Sequence, residues 1–302
     1  MIDELDTFEN PNNRQQNKPK YEFSLKKRPN EIILDQAKLK HQFLVNLGPN
    51  NSIPVYFPYD PYPIQIAYME KVIEALETKQ NALLQSPTGT GKTLCLLCAS
   101  LAWLNYKRSQ EKNDKKSQPI RLLYSSRTHA QLRQVMKELK STVYKPFCTT
   151  IGSRDQYCIK REFMHLKGTL LNGSCAKARK LKMKVFQPEG QTEEGIDSCR
   201  YYQPENELMN YTIPKLFNPN SIKGNELNDI EDLKTDGKIN KYCPYYVSMK
   251  IINDVDILFL PYNYLLEKKV FCLSFFFMIL NLFFKVEEHF EAFFGKYSDY
   301  LR

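Results

Sequence analysis

Between Asn81 and Leu94 the chain reads NALLQSPTGTGKTL: an apolar stretch, a loop with two glycines, then Lys92-Thr93 at the head of a helix-forming run. Holding a triphosphate requires residue types in that order. Gly89 and Gly91 lack a Cβ, so the backbone can turn tightly and bring its N–H groups close to an anion. The helix that follows adds the positive end of its dipole. Lys92 is spaced to reach the β- and γ-phosphates, and the Thr93 hydroxyl to ligate Mg²⁺. The usual eight-residue pattern opens with Gly; here Ser86 opens it, and Pro87, Thr88, Gly89, Thr90, Gly91, Lys92 and Thr93 complete it. The expectation is an ATP site with contacts from Ser86 through Thr93, in which Lys92 and Thr93 do the catalytic work. Upstream, Gln65 heads a predicted helix, where its amide suits a paired contact with an adenine edge.

A second constellation is Cys158, Cys175, Cys199 and Cys243. The intervening sequence has poor hydrophobic periodicity, a basic run (Lys177, Arg179, Lys180, Lys182, Lys184) and a polar tract from Gln187 to Asp197. A segment that cannot build a core needs a staple. Four thiolates can hold zinc or an iron–sulfur cluster. No two of these cysteines lie within four residues, unlike a zinc ribbon, and Cys243-Pro244 resembles the Cys-Pro that ends many cluster-binding runs. The residues alone leave both metals open. Cys95 and Cys98 form a CxxC pair inside a predicted helix with no second pair nearby, and read as packing.

The elements that must position these groups alternate. A helix is expected over Pro63–Thr78 with Ile64, Tyr68, Val72 and Leu76 on one face. A short strand precedes the phosphate loop and a helix follows it. After a charged linker, Tyr106 to Pro119, RLLYSS (Arg121 to Ser126) reads as a buried strand, and Thr128 as the N-cap of a helix over Ala130–Lys140. Strand and helix in alternation imply a parallel sheet covered by helices. Ligands gather at the carboxyl ends of such strands. Ser125, Arg127, Thr128 and His129 then share a rim with the phosphate loop, as a set suited to a nucleic-acid backbone.

The totals agree with a polyanionic partner. The 302 residues carry a net charge of +9, with pI near 9.0 and 42% apolar content. Eight cysteines behind an acidic, polar start (MIDELDTFEN) imply a reducing compartment. Residues 1–54 are rich in Asn, Gln, Lys and Pro and are expected to be disordered or loosely attached. KKRP at Lys26 to Pro29 reads as a nuclear address or a solvated basic patch.

FPYDPYPIQ, SPTGTGKTLCLLCASLAW, YSSRTHAQL, IGSRDQYC, YCPYY and DILFLPYNYLL occur in that order. Together they resemble the first motor domain of the XPD-like iron–sulfur DNA helicases, in particular the regulator of telomere elongation helicase branch. The resemblance covers Val55 to Leu266 and is weaker from Cys175 to Lys241. It implies an α/β, parallel-sheet P-loop (RecA-like) helicase domain with an inserted iron–sulfur domain, the second RecA-like domain being absent from this chain. Residues 55–150 would open the helicase domain, 151–246 form the cluster insertion, and 247–269 return to the helicase domain. Gln65 would read adenine, and Ser86 to Thr93 would hold ATP and Mg²⁺. Arg127 to Gln131, including Thr128, His129 and Gln131, would touch single-stranded DNA. Cys158, Cys175, Cys199 and Cys243 would ligate a [4Fe–4S] cluster. The implied reaction is ATP hydrolysis coupled to 5′→3′ movement on single-stranded or forked DNA, in the nucleus, in repair and telomere maintenance.

Residues 270–302 depart from that resemblance. An Asp-Glu-Ala-His box is expected after the last shared motif; the chain offers only Glu287-Glu288-His289, behind Lys285. The apolar run Val270 to Phe284 is shorter than the roughly 20 residues that span a bilayer. It reads as a buried helix or strand, a tail anchor, or translated intron, the last being preferred for its Phe, Leu, Ser and Cys content. A membrane partner is not expected. The leading expectation is a helicase fragment, inactive alone. The alternatives are a non-enzymatic ATP- and DNA-binding regulatory fragment and a zinc-stapled nucleic-acid binder.

Overall fold

The computed structural model describes residues 31–110, 120–185, 198–213, 229–266 and the backbone of 277–281. The basic KKRP run, most of the charged linker, Gln187 to Asp197 and Glu287-Glu288-His289 lie outside the described residues.

The described chain opens with β1 (Ile33–Leu34), the short α1 (Gln36–Leu39) and an antiparallel hairpin of β2 (Phe43–Leu47) and β3 (Ile53–Phe57). This corrects the expectation for residues 31–54. Ile32, Leu47 and Ile53 are buried, as are Val55 and Phe57 just beyond, so this stretch belongs to the core. In β3, Ile53, Val55 and Phe57 alternate inward after a Gly-Pro-Asn-Asn turn, a pattern that polar composition masks.

Helix α2 (Pro63–Thr78) has the expected bounds and buries Met69, Val72, Ile73 and Leu76. That stripe is rotated from the expected one, and Ile64 is exposed. Helix α3 (Lys92–Gln110) is buried at every position from Leu94 to Leu104. A carboxylate ties the two helices: Glu77 accepts from the Trp103 indole at 2.8 Å and from Lys107 Nζ at 2.8 Å.

Next come β4 (Arg121–Ser126), α4 (His129–Ser141), β5 (Tyr144–Lys145), which pairs with β1, and β6 (Cys148–Thr150). Helix α4 buries Leu132, Val135, Met136 and Leu139, the i, i+3, i+4, i+7 stripe of an amphipathic helix. The cysteine-bearing stretch follows with α5 (Arg154–Tyr157), α6 (Gly168–Val185), α7 (Glu205–Glu207), α8 (Ile230–Asn240) and α9 (Pro244–Lys250). The chain then returns to the sheet through β7 (Ile257–Pro261) and β8 (Phe277–Asn281).

The central sheet has the order β6-β7-β4-β8, with every pair parallel. Its two middle strands are buried on both faces, as their unbroken apolar runs require. Leu122, Tyr124, Ile257 and Phe259 face the core shared with α2, α3 and α4. Leu123, Leu258 and Leu260 face a second core with Tyr157, Leu233, Tyr242 and Val247. The expected strand at Asn81 to Gln85 does not form. These residues pair with no described strand, and Leu83 is 71% exposed. A strand needs a neighbour to satisfy its ladder, and the sheet ends on β8 instead.

Arg108, at the far end of α3, fastens that helix to the sheet. It donates to Asp256 Oδ1 at 2.6 Å and, through Nη2, to the Ile120 carbonyl at 2.7 Å, while Asp256 Oδ2 accepts from the Phe147 N–H at 2.7 Å. The Arg108 side chain is 6% exposed, so removing its partner strands a buried charge. Asp256→Ala is expected to cost about 3 kcal/mol of stability, read as a lowered denaturation midpoint in urea with an unchanged slope.

Candidate functional site

The phosphate loop sits at the head of α3. Gly89 and Gly91 have φ of +82° and +73°, left-handed values that favour glycine. A Cβ on Gly91 would stand 2.8 Å from Gln65 Nε2. Gln65 is held at both ends of its amide: Oε1 accepts from the Tyr62 N–H at 2.9 Å, and Nε2 donates to the Thr90 carbonyl at 3.2 Å. The residue proposed to read adenine is thereby tied to the loop proposed to hold phosphate.

Lys92 Nζ donates to the carbonyls of Ser86 at 2.7 Å and Pro87 at 2.6 Å. Thr90 Oγ1 donates to Pro87 O at 2.9 Å and lies 2.5 Å from Ser86 Oγ. Pro87, Thr88 and Gly89 are exposed at the loop tip; Ser86, Thr90, Gly91, Lys92 and Thr93 are half-buried. Thr93 hydrogen-bonds to the phenol of Tyr124, whose pKa is raised mainly by its burial in β4. Cys95 and Cys98 face the core behind the loop. Burial pushes the Cys95 thiol up to about 12 and raises Cys98 further, so both are packing groups.

At the end of β4 the basic rim forms in part. Thr128 caps α4: its hydroxyl accepts from the Gln131 N–H at 3.2 Å, and Gln131 Oε1 accepts from Thr128 N–H at 3.2 Å and Ser126 Oγ at 2.9 Å. Arg127 and Thr128 are exposed, and His129 is half-buried. Burial, aided by Arg133, holds the His129 pKa below its usual range and so favours the neutral ring. Ser125 does not join this rim. It is 3% exposed, because β4 is covered on both faces as far as Ser125.

Cys158, Cys175, Cys199 and Cys243 line one small cavity. Four separate elements bring them there. Cys158 ends α5, Cys175 lies in α6, Cys199 is in the turn before α7, and Cys243 is the N-cap residue of α9. Burial pushes the Cys243 thiol up to about 12 and raises Cys158 and Cys175, so each keeps its proton until a metal displaces it. Among the described residues, no group of three or more His, Cys, Asp or Glu side chains is placed to hold a single metal ion.

Sequence reasoning missed the groups around this cavity. Arg154 is 8% exposed, lies 4.5 Å from the Tyr245 ring centroid and hydrogen-bonds to Cys175. Lys160 is 5% exposed and lines the wall. Tyr246 Oη accepts from Arg179 at 2.9 Å and lies 3.4 Å from Arg154 Nη2. The available signals were Arg154 four residues before Cys158, Arg179 four after Cys175, and the Tyr-Tyr pair after Cys243-Pro244.

A phosphate loop at the head of a buried helix, beside a parallel sheet with helices on its faces, defines the class as an α/β domain of the P-loop kind. Residues 124–275 match the family described as DEAD_2, and residues 62–183 match DEAD/DEAH box helicase. The chain belongs to the DEAD_2 family. It is 38% identical over 251 residues to "Regulator of telomere elongation helicase 1 homolog" of Oryza sativa subsp. japonica, covering 72% of this chain and 22% of that protein. It is 34% identical over 255 residues to "Regulator of telomere elongation helicase 1" of Mus musculus, covering 72% and 19%. A solved structure titled "XPD_Helicase" aligns with a TM-score of 0.42 at 22% identity, covering 73% of this chain and 32% of that one. The chain thus spans about a fifth of the length of these curated relatives. No helix among the described residues is long and apolar enough to cross a membrane.

Gly91→Ala is expected to weaken ATP binding about tenfold and cost about 1–2 kcal/mol of stability, since the new methyl both strains the backbone and displaces Gln65. Titration with a fluorescent ATP analogue, alongside thermal unfolding, measures both.

Proposed function

We propose that this chain is the nucleotide-binding part of an ATP-dependent DNA helicase of the iron–sulfur type, moving 5′→3′ in its full-length form and acting in the nucleus on single-stranded or forked DNA. The observation that carries this reading is Lys92 at the mouth of a two-glycine loop, fixed at the head of a fully buried helix. Lys92 would leave the Ser86 and Pro87 carbonyls for the phosphates of ATP, the loop N–H groups would cradle those phosphates, and the Thr93 hydroxyl would hold Mg²⁺. Gln65 exchanges its bond to Thr90 for the adenine edge. Arg127 and the exposed start of α4 take the DNA backbone, with contacts that weaken as salt rises.

The four thiols fit a polynuclear cluster better than zinc. A single zinc ion with Zn–S bonds of about 2.3 Å draws its ligands into one tight tetrahedron, whereas a cluster takes one thiolate per iron around a larger body. Four cysteines drawn from four separate segments around one cavity support this reading. When bound, it supplies a covalent staple among the segments carrying its ligands. In this reading Arg154 holds Cys175, and the Cys243 turn anchors α9.

These 302 residues contain no Asp-Glu-Ala-His sequence. Hydrolysis needs a carboxylate to hold Mg²⁺ and another to orient water. The proposal is therefore that the chain alone binds ATP and DNA without unwinding. Purified anaerobically, it is expected to be brown with about four iron per chain, to bind ATP, and to lose at least about tenfold in affinity as Lys92→Ala. ATP turnover by these residues overturns the inactivity; parent affinity in Lys92→Ala overturns the site; zinc in place of iron overturns the cluster.

A further inference from the structure

We propose that Lys160 and Arg179, together with Arg154, form a cationic collar around the four-cysteine cavity that stabilises the reduced state of its cluster. This rests on the iron–sulfur reading above and asks what sets the cluster's redox behaviour.

Lys160 is 5% exposed and lines the cavity. Its ammonium sits 4.1 Å from the centroid of the Phe163 ring, which also lines the wall, so the charge is fixed there by an aromatic face. Arg179 stands four residues beyond Cys175 on α6, on the same side of that helix. Its Nη1 donates to Tyr246 Oη at 2.9 Å, and Arg154 Nη2 reaches the same oxygen at 3.4 Å. One phenol thus holds two guanidinium groups beside the sulfur of Cys175. Among the described residues, no carboxylate lines the cavity. Arg154 and Lys160 stand in a wall of four cysteines and five apolar or aromatic side chains, with Arg179 just behind Cys175, so the net charge around an occupant is positive.

A cluster held by four thiolates is anionic, and reduction by one electron adds one more negative charge. Fixed cations nearby favour that added charge and raise the reduction potential. Arg179 and Lys160 do not ligate the metal in this scheme; they set the field in which it is reduced.

The test uses the whole 302-residue chain, purified anaerobically, with iron counted per chain. A potentiometric titration with dithionite as electron donor is followed by electron paramagnetic resonance. Arg179→Gln and Lys160→Met are each expected to keep the parent's iron content. Each should lower the reduced-to-oxidised ratio at the parent's midpoint by about tenfold, which is about 59 mV for a one-electron couple. Arg179→Lys should restore the parent value, and Lys180→Gln, on the exposed side of α6, should leave it unchanged. If Arg179→Gln loses iron, Lys160→Met decides alone, and an unshifted midpoint there overturns the collar. Full iron with an unshifted midpoint in both neutral variants overturns the collar and leaves the cluster standing. A parent without iron overturns the cluster reading itself.

Discussion

The burial of α3 is the constraint on which the rest depends. From Leu94 to Leu104 every side chain is enclosed, by α2 and β3 on one side and by α4 and β4 on the other. A helix apolar all round can only be a core helix. Each fully buried leucine contributes about 1.5–3 kcal/mol, against about 1 kcal/mol for holding a glycine in an ordered segment. The left-handed turns at Gly89 and Gly91 are therefore held by the rod behind them. The amides at the head of α3 emerge at a fixed point, with Lys92 beside them, before any ligand arrives.

The parallel sheet is a partition as well as a scaffold. Alternate residues of β4 and β7 point to opposite cores: Leu122 and Phe259 toward the nucleotide helices, Leu123 and Leu258 toward the cysteine-bearing helices. The two chemical sites therefore lean on one set of backbone hydrogen bonds. They also meet at an edge. A Cβ on Gly152 would lie 3.1 Å from Tyr157 Cε2 and 3.4 Å from His129 Cε1. The turn that launches α5 thus lies within a methyl group's reach of His129 at the start of α4, where Arg127 and Thr128 are exposed.

Local chemistry was legible in the sequence; tertiary partnership was not. The N-cap at Thr128, the bounds of α2, the start of α3 at Lys92 and the packing role of Cys95 and Cys98 all follow from neighbours a few residues away. The strand expected at Asn81 to Gln85 failed because a strand is defined by a partner, and none of the described strands takes that edge. Residues 277–281, in the tail that departs from the family resemblance, pair in parallel with β4 from Arg121 to Ser125. Nothing local in their sequence says which strand they join. Ser125 was assigned to the rim from its position at a strand's end, but β4 is covered on both faces through Ser125, and only tertiary packing shows how far that cover reaches. The cations about the cysteine cavity were hidden for the same reason. Arg154, Lys160 and Arg179 look like solvated basic residues until α5, α6 and α9 close around them.

The departure of the phosphate loop from the usual pattern has a physical account. The opening glycine of that pattern is replaced by Ser86, and a Cβ matters only where φ is positive or space is short. Ser86 is not among the described residues with positive φ, whereas Gly89 and Gly91 are at +82° and +73°. The substitution therefore incurs no left-handed strain. It also adds a contact, since Ser86 Oγ and Thr90 Oγ1 lie 2.5 Å apart across the loop. The two carbonyls that hold Lys92 belong to Ser86 and Pro87, so this closure also fixes the acceptors that keep the ammonium in position. A triphosphate must then exchange those neutral acceptors for charged oxygens. The ammonium's bonds to those carbonyls are already charge-assisted; phosphate oxygens add the attraction of opposite charges, which draws the exchange toward the ligand. Serine at the loop's first position is consistent with a working anion site because that position closes the loop and does not turn it.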